Sequence, residues 1–416
     1  MISRLLTDAG RGVYSWLDAR LGVGPKLNRL LYDPVPERGG WFYTLGAALF
    51  VLLIIQAVTG IFLTMYYVPS WNEARESLYY IQNEVYLGWL VRGIHYWNMV
   101  ALVLLIGLHL LRTFISAAFK RPREITWILG VTLLILMLFT AFTGGMLRLD
   151  QSGYYDMVVG TAIASWTPLV GPLVSQLWRG GEVVNPVTLT RTFSLHIWLL
   201  PAPLILLAGA HIGLVVLQGQ FGSWVNYVRR RPGDEPESPD EAAARAKLED
   251  EILDRGSRKV NLPNRVTWFF PYHVYKESIV TFGCFFAVFL AALLFPVPIE
   301  DPVDPTTTQF APSAMWFLVF GDQLLVSFPG AWLIPVGAVV LPTVFIGILY
   351  LFPWIERDRH YDPMHRLPSI LFILVSAAAV LILAMLAASR VYNFEFVNAV
   401  PFPATNPFIS PTPTGQ

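Results

Sequence analysis

Hydrophobic residues in this chain run in long unbroken stretches rather than in the short alternations of a soluble protein. Segments near 42–66, 88–112, 126–147, 194–217, 274–296, 331–353 and 368–390 are each apolar over enough residues to cross a bilayer as a helix. The predicted fold is an all-α integral membrane protein with seven transmembrane helices, a four-helix bundle followed by a three-helix half. Polar stretches set the boundaries. Residues 1–40 carry scattered charges and no continuous apolar core, so they read as an amphipathic helix on the membrane surface rather than a cleavable signal. Residues 41–220 hold the first four spans and 221–265 form a charged linker containing RRRPGDEPESPDEAAARAKLEDEILDRGSRK. Residues 266–392 hold the last three spans, and 393–416 are a Pro-rich tail.

Basic residues orient the spans. Arg4, Arg11, Arg20, Lys26, Arg29 and Arg38 precede the first. Arg112, Lys120, Arg121 and Arg123 follow the second, Arg229, Arg230 and Arg231 the fourth, and Arg357, Arg359 and Arg366 the sixth. The connection from Phe295 to Trp332 and the tail after Arg390 have neither Lys nor Arg. The N-terminus is therefore expected in the cytoplasm and the C-terminus outside. A formal net charge of +0 over 416 residues removes any case for nucleic-acid binding. The single cysteine, Cys284, excludes a disulfide framework or a thiolate-held iron–sulfur cluster within this chain, and its apolar surroundings suit a packed small side chain.

Histidines inside two of the spans change the picture from a generic bundle to a candidate redox protein. His95 and His109 lie in the second span, fourteen residues apart, which at about 100° per residue is roughly 40° short of four turns. Both leave one face, separated by about 21 Å along the axis. His196 and His211 lie in the fourth span, fifteen residues apart, roughly 60° past four turns. Two antiparallel helices so equipped can clamp two haems, His95 with His196 near the outer surface and His109 with His211 near the cytoplasm. A histidine on each axial side suits electron transfer rather than oxygen binding. Ionisable groups at membrane depth are costly, which argues against four unrelated polar contacts. Gly46 and Gly60 in the first span, and Gly130 and Gly144 in the third, repeat the fourteen-residue interval. They are expected to let the porphyrin edges approach the backbone, although small residues also serve helix packing in membranes. Arg92 and Arg112 sit one turn from His95 and His109, placed for haem propionates or as interfacial anchors.

These residues, together with GWLVRxxH-x13-H, FKRPREITWxxGV, LTRTFSLH and the DPVDP loop, make the chain resemble the cytochrome b/b6 family over nearly its whole length. That family is the membrane core of quinol:cytochrome c reductases of the bc and b6f type. The fifteen-residue His196–His211 step is similar to the b6 branch, and the fused seven-helix chain to prokaryotic members of the cytoplasmic (inner) membrane. The resemblance implies two non-covalent haem b groups with bis-histidine ligation and quinol or quinone as substrate. It also implies a Rieske-type iron–sulfur protein and a c-type cytochrome as partners, in a multisubunit assembly that could be dimeric. The outer pocket would involve 140–165 and the loop around Pro312. The inner pocket would involve FFPYHVYKES, where His273, Lys276 and Glu277 could relay protons.

Three departures from the family pattern matter. The outer-pocket PEWY-type acid aligns with Ser313, in Pro312-Ser313-Ala314-Met315, and a serine is no base near neutral pH. The usual LPWGQ or LPWDQ reads Leu147-Arg148-Leu149-Asp150-Gln151. Thr44 stands where the b6 branch attaches an extra haem, so no covalent haem is expected. Asp150 or Asp156 is a candidate replacement base. The expected function is therefore transmembrane electron transfer as a subunit of a quinol:cytochrome c oxidoreductase-type enzyme. The alternative is a non-bifurcating two-haem conduit and membrane anchor with quinone chemistry only at the cytoplasmic face. A haem-free transporter or receptor would leave the histidines and glycines unexplained.

Overall fold

The computed structural model describes residues 8–22, 31, 34–36, 41–218, 266–304, 314–328, 333–357 and 363–391. Ser313, the 221–265 linker and the 393–416 tail lie outside them. The helices are α1 (Asp8–Leu21), α2 (Leu45–Thr64), α3 (Ala74–Asn83), α4 (Gly88–Ile115), α5 (Glu124–Met146), α6 (Gln151–Ser165), α7 (Gly171–Arg179), α8 (Pro186–Ser194), α9 (Pro201–Gln218), α10 (Val274–Leu294), α11 (Val319–Ser327), α12 (Leu341–Ile355) and α13 (Leu367–Val391). Seven helical segments among the described residues are long and apolar enough to cross a membrane: Trp41–Thr64, Gly88–Ile115, Glu124–Met146, Pro186–Gln218, Phe269–Leu294, Val336–Ile355 and Pro363–Ser389. These match the seven apolar stretches of the sequence. Their outward faces carry exposed Phe62, Leu206, Phe282 and Leu381, a distribution that suits lipid and not water. Within the 1–40 segment, residues Asp8–Leu21 form the helix α1.

Packing joins the two halves. α10 lies against both α2 and α4, and α12 against α5. Gly93 of α4 makes the first contact possible, because a methyl group there would sit 3.1 Å from Ala292 Cβ of α10. Phe114, Phe119, Trp127 and Val131 from the first half share a core with Leu349, Phe352 and Ile373 from the second. Trp127 Nε1 donates to Leu349 O at 2.6 Å within it.

One end of the bundle is capped by short helices. α3, α6 and α7 are too short to span, and their buried sides meet in a core of Tyr67, Ala74, Ile81, Met146, Leu149, Met157, Trp178 and Leu189. α6 starts where Asp150 Oδ1 accepts from Gly153 N at 2.9 Å, and α8 where Asn185 and Thr188 form a reciprocal cap. The only strands among the described residues are β1 (Pro34–Pro36) and β2 (Val266–Trp268). They pair antiparallel, Pro34 opposite Trp268, and tie the entry to the first span to the entry to the fifth. The architecture is otherwise all-α.

Candidate functional site

The fourth span is not one regular helix. Between α8 and α9 the residues Leu195–Leu199 form a π turn, with Leu200 N donating to Leu195 O at 3.0 Å. Pro201 and Pro203 lack the N–H groups that would bind the carbonyls of Ile197 and Leu199, so the wider turn forms there. A π turn takes up one residue. The fifteen-residue step from His196 to His211 thus acts as fourteen, the same interval that separates His95 from His109 on α4.

The outer pair faces inward. The imidazole centres of His95 and His196 are 6.4 Å apart and their planes meet at 78°. Two imidazoles on opposite sides of one metal at about 2.0–2.1 Å would have centres roughly 6.3 Å apart. His109 and His211 at the other end are close enough to interact electrostatically.

Hydrogen bonds orient the rings. His196 Nδ1 bonds to Thr140 O at 3.0 Å and lies 3.3 Å from Thr143 Oγ1. His211 Nδ1 bonds to Thr126 O at 3.0 Å, and His95 Nδ1 to Thr59 Oγ1 at 3.0 Å. For His196 and His211 the occupied Nδ1 leaves Nε2 turned away from that bond, which suits a ligand atom, whereas His95 is engaged at both nitrogens. Gln56 Nε2 lies 3.1 Å from His95 Nε2, and Gln56 Oε1 accepts from Asn98 Nδ2 at 2.7 Å. His109 differs. Its Nδ1 has no hydrogen-bond partner among the described residues.

Each of the four glycines meets one imidazole. A methyl group would lie 3.5 Å from His109 Cε1 at Gly46, 3.2 Å from His95 Cε1 at Gly60 and 3.4 Å from His211 Cε1 at Gly130. At Gly144 it would lie 2.6 Å from His196 Cε1. Each of these glycines thus keeps the space at the ring edge of one histidine clear of a side chain. Thr126 and Thr140 precede Gly130 and Gly144 by four residues, so the missing side chain one turn later leaves those carbonyls open to the imidazoles. The threonines were absent from the sequence reading, although the Thr-Gly dipeptides 59–60 and 143–144 were available as a signal.

The two arginines behave differently. Arg92 is buried and donates to Gln82 Oε1 and Val297 O, both at 2.8 Å, and to Pro298 O at 2.9 Å. Two of its five donors thus hold the segment after α10, and a third reaches Gln82 of α3. Arg112 stacks on Tyr43 at 3.6 Å, and its buried Nε has no hydrogen-bond partner among the described residues. A half-buried guanidinium whose buried Nε is an open donor, beside His109, suits an anionic group such as a propionate. The paired rings, the glycine clefts and this open donor together fit haem.

At the outer end, carboxylates gather near the start of α6. Asp150 is fully buried; Oδ1 caps the helix, and Oδ2 takes Arg148 Nη1 at 3.2 Å and Glu300 N at 3.4 Å. Glu300 Oε2 accepts from Ser152 Oγ at 2.6 Å, and Arg148 Nη1 lies 3.7 Å from Glu300 Oε1. Asp156 is buried on the same helix, and its Oδ2 faces Gly145, over which Met315 Cε sits. Burial pushes its carboxyl up to about 8; Arg148 opposes this, while Asp150, Asp322 and Glu300 add to it. At the inner end His273 is buried with Nε2 3.4 Å from Glu277 Oε1, one turn apart, and Lys276 is half-buried between them in sequence.

A helical membrane protein with facing intramembrane histidine pairs falls in the class of membrane cytochromes. This chain belongs to the cytochrome b/b6 family. The family model described as cytochrome b/b6/petB matches residues 31–220, which include all four histidines. The chain is 40% identical over 218 residues to the menaquinol:cytochrome c reductase cytochrome b subunit of Bacillus subtilis (strain 168), covering 50% of this chain and 97% of that one. It is 40% identical over 210 residues to cytochrome b6 of Synechococcus sp. (strain JA-3-3Ab), covering 50% and 98%. A solved structure titled "Hyperthermophilic respiratory Complex III" shares the fold, with a TM-score of 0.69 at 24% identity over 91% of this chain and 96% of that one.

Proposed function

We propose that this chain is the di-haem cytochrome b subunit of a quinol:cytochrome c reductase-like complex. It would carry electrons between membrane quinol or quinone and an extracytoplasmic partner. The 6.4 Å separation of the His95 and His196 rings carries the reading. His95 with His196 and His109 with His211 would hold the two haems, their rings oriented by Nδ1 bonds where these exist. Bound haem supplies one-electron transfer, since a histidine on each side leaves no open position for oxygen. Gly46, Gly60, Gly130 and Gly144 leave room for the rings, and Arg112, with the remaining donors of Arg92, meets propionates. His273, Lys276 and Glu277 receive protons from the cytoplasm at the inner quinone pocket. The relatives are a menaquinol:cytochrome c reductase subunit and cytochrome b6 proteins, which supports quinol as substrate and a multisubunit assembly; the partners proposed are a Rieske-type iron–sulfur protein and a c-type cytochrome. The Lys and Arg asymmetry supports a cytoplasmic N-terminus and an outer C-terminus in a prokaryotic inner membrane.

The test is haem content and redox spectrum of the purified complex. Two b haems per chain, with one lost in His196→Ala and the other in His211→Ala, are expected. A single haem per chain, or both haem spectra retained in either variant, overturns the ligand assignment. Thr44 predicts that all haem in this chain extracts into acid acetone; covalently retained haem would contradict it.

A further inference from the structure

The sequence leaves two carboxylates as candidates to replace the outer-pocket acid, and their surroundings separate them. Asp150 has both oxygens committed, one to the cap of α6 and the other to Arg148 and the Glu300 amide. It holds the outer end together and is poorly placed to exchange protons. Asp156, six residues on, is 6% exposed and makes no hydrogen bond among the described residues. A buried carboxylate without a partner is costly. Its Oδ2 lies 3.8 Å from the Cβ position of Gly145. Met315 fills the space over that glycine, and Asp322 Oδ2, accepting from Ala314 N at 2.8 Å, fixes the approach of the Met315 segment. Asp156 therefore stands where the third span, α6 and the 314–315 segment converge at the outer end.

We infer that Asp156 is the catalytic base of the outer pocket, accepting a hydroxyl proton from a bound quinol. This rests on the reading that quinol is oxidised at the outer face. In the step, a quinol O–H bond breaks and its proton goes to Asp156. One electron goes to a one-electron oxidant of the iron–sulfur protein class outside the membrane; the second O–H bond then breaks, its proton leaving to water at the same face as the second electron goes inward through this chain, and quinol has become quinone. The charged groups facing Asp156 are Arg148 from the loop before α6, Asp150 at its cap, Glu300 from the segment after α10, and Asp322 of α11. The three carboxylates and burial outweigh the single arginine, so Asp156 is mostly protonated below about pH 8. Only the ionised form accepts a proton, so the rate must rise as pH rises through that value.

The experiment uses the intact complex in membranes, with the inner pocket blocked by an inhibitor and an oxidant present for the outer partner. Reduction of the b haems by quinol is followed by absorbance across pH. The wild type is expected to show a rising profile with its inflection near about 8. Asp156→Asn should lower the rate roughly 10²-fold and flatten the profile, and Asp156→Glu should restore both in part. The haem spectra and reduction through the unblocked inner pocket should stay unchanged in both variants. An Asp156→Asn complex with the wild-type rate and profile overturns the assignment and leaves outer-face oxidation standing. Wild-type haems that are not reduced with the inner pocket blocked overturn the outer-face reading itself, and the role of Asp156 with it. Should Asp156→Asn fail to assemble, the wild-type profile decides: no inflection on the alkaline side of neutrality rejects the proposal.

Discussion

The four glycines differ in how much room they protect. At Gly144 an added methyl would collide with His196 Cε1 at 2.6 Å, whereas at Gly46 it would make ordinary contact with His109 Cε1 at 3.5 Å. Gly144→Ala is expected to lose the outer haem and Gly46→Ala to retain the inner one, read from reduced-minus-oxidised spectra. Thr59 acts through His95 and not on haem directly. Thr59→Val removes the Nδ1 partner at 3.0 Å and should weaken outer haem retention roughly 10–100-fold, with a shift in that haem's potential. The inner haem, bound by other residues, should keep its midpoint in that variant.

The π turn at Leu195–Leu199 reconciles unequal histidine spacings on two spans. Its job can be tested by changing its length. Deleting Trp198, an exposed residue in that turn, lets it close as a regular α turn with the histidines in the same relation, so both haems should remain. Inserting one alanine after Trp198 rotates His196 by about 100° against His211 and should cost one haem per chain, measured as a pyridine haemochrome. The short helices α3, α6 and α7 carry no such signal, because nine to fifteen residues of mixed polarity look like loop in a chain dominated by long apolar runs. Asp150 at the cap of α6 was legible as chemistry but turned out to hold structure, since both of its oxygens face inward to backbone and Arg148.

The two halves are locked by a buried ion cluster at the end of the bundle opposite the short helices. Glu356 takes Arg366 Nε at 2.5 Å and Lys120 Nζ at 2.8 Å, and Arg366 reaches back to the carbonyls of Phe114 and Ile115 at 3.2 and 3.1 Å. Burial alone would raise the Glu356 carboxyl. Hydrogen bonds from Arg366, Lys120 and Ser369 outweigh it and hold the group below its ordinary value. A lowered carboxylate pKa stabilises the fold above the ordinary glutamate range, and that contribution is lost as pH falls through the folded value. The solubilised complex should therefore melt at lower temperature on acidification below about pH 4, and Glu356→Gln should blunt that dependence. Glu356→Ala leaves two buried cations unpaired and should cost about 3–5 kcal/mol, seen as a drop in Tm.

Membrane burial makes part of this protein readable from its residues alone. A span must satisfy its own backbone in lipid, so length and apolarity determine the seven helices, and costly histidines at matched intervals mark the site. What the chain alone did not determine depends on contacts between distant segments. The π turn that puts His196 in register follows from two prolines but shows its effect only against α4. The glycines repeat the histidine interval in sequence, and the packing of α2 on α4 and of α5 on the fourth span sets each of them beside an imidazole edge. Asp150 and Asp156 are six residues apart on one helix and chemically identical. Only the segments that fold over them, one bringing Arg148 and a backbone amide, the other Met315, give the first a structural bond and leave the second free to take a proton.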